Sequence, residues 1–411
     1  MSSTAVASLP PSTATGNRPF TRLWGAFGAG TLADGIYQVA LPVAALHLGG
    51  GAGSVALVLM AARAPWLVAS LHVGVLVDRV DRRRLLLLVS GVRFAVLALL
   101  AVLLTAGWGS IAALAAVALT LGVCETIFDT ALHSSTPRVV PGERLEAANS
   151  RLQATETVAN RFLGPALGGV LAGAATAAAF GAVGALYLAA FTALLGLRIP
   201  HVPPPAARES VGRALRTGLT VLWRDRPLLS YALGGCAVNC GFAAYYVALP
   251  ILALEPGGLG LTAGGYGLLL AVGGIGGLLT SMASPALARR YPVRRCIAAS
   301  AVLLAAGLAV PAVTDQVPLV ALGVVATGAV VLISVVTVSY RQRAVPDEML
   351  GRVTAAYRMF AFGGLPLGSG LAGLIGGFGS SRLVFPVAGA LVVVAGAAMT
   401  LATPREKVPA T

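Results

Sequence analysis

Apolar residues run along this chain in twelve stretches, at roughly 22–47, 55–77, 85–106, 109–135, 153–175, 178–198, 229–254, 263–287, 296–313, 317–340, 353–377 and 383–402. About 20 apolar residues suffice to cross a bilayer as a helix, so each stretch predicts one membrane span. The interruptions are short and polar. The longest, 199–228, carries Pro203, Pro204 and Pro205 and several arginines, and it splits the spans into two sets of six. The pattern predicts an all-α membrane protein with a tail over 1–21, a six-helix bundle over 22–198, a linker over 199–228, a second bundle over 229–402 and a tail over 403–411. Residues 1–19 hold Ser, Thr, Pro and Ala without the apolar core of a cleavable signal, and read as a short tail.

The two sets repeat each other. Tyr37-Gln38-Val39-Ala40-Leu41-Pro42 in span 1 matches Tyr245-Tyr246-Val247-Ala248-Leu249-Pro250 in span 7. Val140-Pro141-Gly142-Glu143-Arg144-Leu145, before span 5, matches Val345-Pro346-Asp347-Glu348-Met349-Leu350, before span 11. Gly164-Pro165-Ala166-Leu167-Gly168-Gly169 echoes Leu365-Pro366-Leu367-Gly368-Ser369-Gly370. Duplicated halves of this kind place a site at mid-membrane between them.

Charge fixes the orientation. With the N-terminus inside, the inner segments hold 24 of the 29 basic residues and the outer loops hold one, Arg382; Arg63, Arg93, Arg161 and Arg358 lie within spans. That asymmetry places both termini in the cytoplasm. It also accounts for the net charge of +14 as a topology signal rather than a nucleic-acid surface. A charged fraction of 11% and a mean hydropathy of +0.85 exclude a soluble enzyme and a disordered chain. Cys124, Cys236, Cys240 and Cys296 sit in apolar stretches with no CxxC pair, and the four histidines lack metal-ligand spacing, so no metal site is expected.

Two motifs give the chain a family likeness. The loop between spans 2 and 3 reads Gly74-Val75-Leu76-Val77-Asp78-Arg79-Val80-Asp81-Arg82-Arg83-Arg84, and span 5 reads Asn160-Arg161-Phe162-Leu163-Gly164-Pro165-Ala166-Leu167-Gly168-Gly169. The first resembles the GxLaDrxGrkxxl motif of the major facilitator superfamily, with Asp81 where glycine is usual. The second is similar to the gxxxGPxxGG signature of drug:proton antiporters, with Asn160 for its first glycine. Stretches such as Leu32-Ala33-Asp34-Gly35, Cys124-Glu125-Thr126-Ile127-Phe128-Asp129 and Gln153-Ala154-Thr155-Glu156 resemble the twelve-span branch that contains macrolide and enterobactin-type exporters. The likeness implies a gating role for Gly74, Asp78, Arg79 and Arg82, with Asp78 latching the inner side against the start of span 11. It implies a kinked, cavity-sealing span 5 at Gly164, Pro165, Gly168 and Gly169. The plainer alternatives are that Asp78 neutralises Arg79 and caps span 3, and that the glycines only pack.

Charges inside spans are costly and mark function. The acids are Asp34, Glu125, Asp129 and Glu156, opposite the four intramembrane arginines; the second half holds acids only in loops and tails. Glu125 and Asp129 share one face of span 4. Burial favours a neutral carboxyl and a neighbouring arginine the charged form, so a carboxylate that alternates between these surroundings loads and releases a proton. Asp34, Glu125 and Asp129, with Arg161, are therefore the proton-coupling candidates; the alternative is that they brace Arg63, Arg93 or Arg161. Tyr37, Phe128, Phe162, Tyr245, Tyr246, Tyr357 and Arg358 are the candidate cavity lining.

The expectation is a monomeric secondary transporter in a bacterial cytoplasmic membrane, exporting a hydrophobic or amphipathic small molecule in exchange for protons. It needs the proton gradient and no cofactor, and it meets lipid but no nucleic acid. No GxxxxGK[ST] loop is present, so ATP is not its direct fuel. An importer of a small metabolite, or a non-transporting membrane sensor, is the alternative. No catalytic constellation points to an enzyme.

Overall fold

Where lipid replaces water, a backbone must satisfy its own hydrogen bonds, and long apolar runs do so as helices. The computed structural model describes residues 18–197, 199, 211–255 and 257–404 and is all-helical there. In chain order the helices are α1 (Arg18–His47), α2 (Ala52–Arg79), α3 (Arg82–Thr105), α4 (Ile111–Val139), α5 (Leu145–Thr155), α6 (Gly164–Ala174) and α7 (Thr176–Leu195). There follow α8 (Val211–Arg224), α9 (Arg226–Leu254), α10 (Ala263–Arg290), α11 (Val293–Val313), α12 (Val317–Ala326), α13 (Val330–Ala344), α14 (Asp347–Phe378) and α15 (Val384–Ala402). Among the described residues, ten helical runs are long and apolar enough to span a membrane, α12 and α13 counting as one. The helical runs 52–79 and 145–174 lie where the sequence puts spans 2 and 5.

Local chemistry sets the boundaries. Asp81 accepts from the backbone N–H of Arg84 at 2.9 Å and caps α3. The cap that sequence reasoning offered as an alternative role for Asp78 thus falls to the residue that departs from the family pattern. Ser110, Thr262 and Asp225 cap α4, α10 and α9 in the same way. Gly49 and Gly107, with φ of 77° and 75°, turn the chain between α1 and α2 and between α3 and α4.

Three features go beyond the predicted pattern. Span 5 is not one plain helix. A π-helix, Glu156–Leu163, separates α5 from α6 and ends just before Pro165. Proline has no N–H to give the Arg161 carbonyl four residues back, and the helix widens into π turns just ahead of it. The run 317–344 is similarly interrupted by a 3-10 turn, Thr327–Ala329. Finally, the linker contains an amphipathic helix. α8 buries Leu222 in an apolar cluster with Leu228, Ala232, Val345 and Val353, and Gly218 packs on the Arg352 backbone. Its apolar spacing is legible in the sequence but is hidden by the surrounding arginines.

The basic loop after α2 ties helices together. Arg82 Nε donates to Ser134 Oγ of α4 at 3.0 Å, and Arg83 Nη2 donates to the Leu195 carbonyl at the end of α7 at 2.6 Å. Arg382 pairs with Asp315 at 2.6 Å. The side chains at 74, 78 and 79 are outside the described residues, and with them the gating role expected of Gly74, Asp78 and Arg79.

Candidate functional site: a central cavity beside an acidic chamber

Both irregular segments open onto one cavity. Asn160 and Arg161 of the π-helix, and Thr327 and Gly328 of the 3-10 turn, line a space of about 350 Å³ bounded by α1, α2, α6, α9, α10, α13 and α14. Broken backbone at membrane depth is tolerated where it faces such a cavity. Phe242, Tyr246, Tyr266 and Leu270 give it an aromatic and apolar wall, and Arg63, Arg161, Gln38 and Asn239 supply polar handles.

A second space of about 230 Å³ lies wholly among the helices preceding the linker. Asp34, Glu125, Glu156, Tyr37 and Tyr187 line it. Gln38, Leu59, Arg63 and Asn160 line both spaces, so they form the shared wall. Tyr187 is buried and donates its hydroxyl to Asp34 Oδ1 at 2.5 Å. Arg93, only 1% exposed, lies over the ring of Tyr187 at 4.9 Å and that of Phe128 at 5.2 Å. Its Nε and Nη2 have no hydrogen-bond partner. Asp34, Glu125 and Asp129 all act on it electrostatically. Among the described residues none of the intramembrane acids forms an ion pair within 4 Å; cation–π stacking holds the buried guanidinium instead.

The structure thus brings Asp34 and Glu125 together in the chamber, with Asp129 within electrostatic reach of both. Arg161 stands apart, exposed to the central cavity. Of the expected lining, Tyr246 faces the central cavity and Tyr37 the acidic chamber. The others are placed elsewhere. Tyr245 is fully buried against Phe385 and Tyr246, and Phe128 is buried under Arg93. Tyr357 carries the buried Arg341 guanidinium at 4.2 Å. Phe162 packs on Gly274 of α10. Arg358 lies over Phe362 and is within electrostatic reach of Asp129 in the other half. Sequence reasoning missed Tyr187 and Trp66. An aromatic residue in an apolar span carries no sign of the acid it touches. Trp66 stacks edge-on against Phe362 at 5.8 Å, across the two halves.

The halves press together at the end of the bundle where α1 hands over to α2, the far end from Arg18. Gly164 meets Gly35 and Gly168 meets the Ile36 backbone, which locks α6 to α1 within one half. Gly169 faces the other half: a Cβ there would stand 2.5 Å from the Ala263 carbonyl oxygen and 3.0 Å from the Cα atoms of Gly264 and Gly267. Between α2 and α14, a Cβ at Gly373 would stand 2.6 Å from that of Ala56, and one at Gly376 2.5 Å from that of Ala52. Small residues thus close the far end backbone to backbone.

The fold has known counterparts. A mutant of the nucleoside transporter NupG superposes with a TM-score of 0.79 at 12% identity, over 94% of this chain and 100% of that one. A bacterial homologue of the iron transporter ferroportin, in an inward-facing state, gives 0.73 at 18%, over 95% and 99%. A bacterial homologue of the human lysosomal transporter Spinster, inward-facing and unoccupied, gives 0.72 at 13%, over 95% and 97%. No curated protein matches the sequence. Residues 12–409 match the family described as transmembrane secretion effector, and the chain belongs to that family of multi-pass transporters within the major facilitator superfamily.

Proposed function

We propose that this protein is a twelve-span, monomeric secondary transporter of a bacterial cytoplasmic membrane, with both termini cytoplasmic. It exports a hydrophobic or amphipathic small molecule by alternating access, driven by protons. One observation carries the reading: a cavity shared by both halves, sealed at its far end, stands wall to wall with a chamber of carboxylates. The cavity holds cargo and the chamber holds protons. The first-half acids Asp34, Glu125 and Asp129 are the carriers, and Arg63 in the shared wall senses both occupants. With the termini inside, the sealed end faces out, so this conformation receives cargo from the cytoplasm. The turn around Asp78 latches the inner side in the opposite conformation. The glycine contacts of α6 support a seal that opens and shuts as a unit.

Inside-out vesicles holding the protein, given an acidic lumen, are expected to accumulate at least one member of a panel of fluorescent amphiphiles, and a protonophore should collapse the accumulation. Absence of protein-dependent accumulation across the panel, or indifference to the protonophore, overturns the reading. A reporter fused after Pro205 is expected to be active only in the cytoplasm; outside activity inverts the orientation.

A further inference from the structure

We infer that the cargo is an organic anion, an apolar or aromatic body carrying one carboxylate-like group, and that Arg161 is its docking point. The inference rests on the transport reading above and names the chemistry of the cargo. The central cavity is lined by two arginines and by no acid. Arg63 has its counter-charges next door, because Asp34, Glu125 and Glu156 line the adjoining chamber with it. Arg161 has none: among the described residues no carboxylate forms an ion pair with it, and its side chain is exposed into the cavity. A cation inside a membrane without a partner is a site waiting for one.

The other polar groups on the wall are mostly spent. Asn160 donates to the Thr31 carbonyl and Asn239 to the Ala361 carbonyl. Thr327 donates to the Val324 carbonyl of α12 and Ser369 to the Leu365 carbonyl of its own helix. Two guanidinium groups are therefore the strong donors left facing the space. That of Arg63 also faces the acids of the adjoining chamber; that of Arg161 does not, and its planar fork suits a carboxylate. Phe242, Tyr246 and Tyr266 offer flat apolar area for the body of the molecule. An ammonium cargo would instead add a third positive charge to the two already there.

The test uses the purified full-length protein in lipid nanodiscs and three probes of one size: 1-naphthoate, its neutral carboxamide and 1-naphthylmethylammonium. Naphthoate is expected to bind about tenfold or more tighter than either analogue, as a charge-assisted pair implies. Arg161→Gln should erase that preference and Arg161→Lys should retain part of it, with unchanged thermal unfolding reporting that both variants fold. Binding of naphthoate no tighter than the carboxamide, or no binding of naphthoate, overturns the inference, as does a preference that survives Arg161→Gln. The two readings fail separately. Vesicles that accumulate cations or neutral amphiphiles while naphthoate does not bind would sink the anion alone. A naphthoate preference without accumulation of any amphiphile would sink transport and leave the site.

Discussion

Asp34→Asn is expected to abolish uphill, pH-gradient-driven transport while leaving downhill movement of the same cargo. With one proton exchanged per cargo molecule, each unit of pH gradient sustains about tenfold accumulation; the variant should hold cargo level on both sides. The substitution suits the site. Tyr187 donates to Asp34 Oδ1, and the amide oxygen of asparagine still accepts that bond. Arg93 rests on the rings of Tyr187 and Phe128 and not in an ion pair with Asp34, so neutralisation does not strand it in the way a broken buried pair would. Asp34→Ala differs. It leaves the buried Tyr187 hydroxyl without its acceptor, at a cost of about 1–3 kcal/mol, and protein level should fall. Cargo-induced proton release, measured in inside-out vesicles beside protein level, reads the outcome. If Asp34→Asn is well expressed and still exchanges at the wild-type rate, the carrier is not Asp34, and the test passes to Glu125 and Asp129. Coupling that survives in all three variants removes proton exchange from the reading.

What the sequence could and could not foretell follows from the range of each interaction. Spans are legible because lipid imposes a length and an apolar composition on every one of them, and these are local properties. Asp34, Glu125 and Arg93 stand out for the same reason: a charge inside an apolar run is visible without a fold. What each charge meets is not. Tyr245 and Tyr246 are adjacent and chemically identical, yet one is sealed against Phe385 and the other faces the cavity. Helical geometry points neighbours about 100° apart, and only the packing of α9 against α15 and α10 decides which direction is the cavity. Likewise Pro165 announces a broken hydrogen bond, but not the π turns that precede it. Arg161, within the eight-residue π-helix, lines the cavity wall and, among the described residues, forms no ion pair with the acids its sequence position suggested.

Gly169→Val is expected to stop transport by keeping the far end open. The residue sits where α6 crosses α10 of the other half, and what lies opposite is backbone: the Ala263 carbonyl oxygen, 2.5 Å from where the new Cβ would go, and the Cα atoms of Gly264 and Gly267 at 3.0 Å. A flexible side chain could swing aside, but a helix backbone can only retreat as a whole. Overpacking of this kind costs about 1–3 kcal/mol, which depopulates the far-closed state by about 5- to 150-fold. Under the proposed alternating access, the halves separate at this end in the other conformation, which then has no such contact to lose. Folding itself should survive, since glycine is the poorer helix former at that position. Gly173 is the control, one turn further along the same face. A Cβ there would meet the Ala263 side chain at 3.6 Å, an ordinary contact, so Gly173→Ala should transport normally. The measurement is labelling of Val331→Cys, a half-buried position that lines the cavity, by an impermeant maleimide applied from outside to protein in which Cys124, Cys236, Cys240 and Cys296 are replaced. Labelling should rise steeply with Gly169→Val and stay low with Gly173→Ala. Wild-type transport by Gly169→Val would mean that α6 and α10 never form the seal, and that access to the cavity is controlled elsewhere.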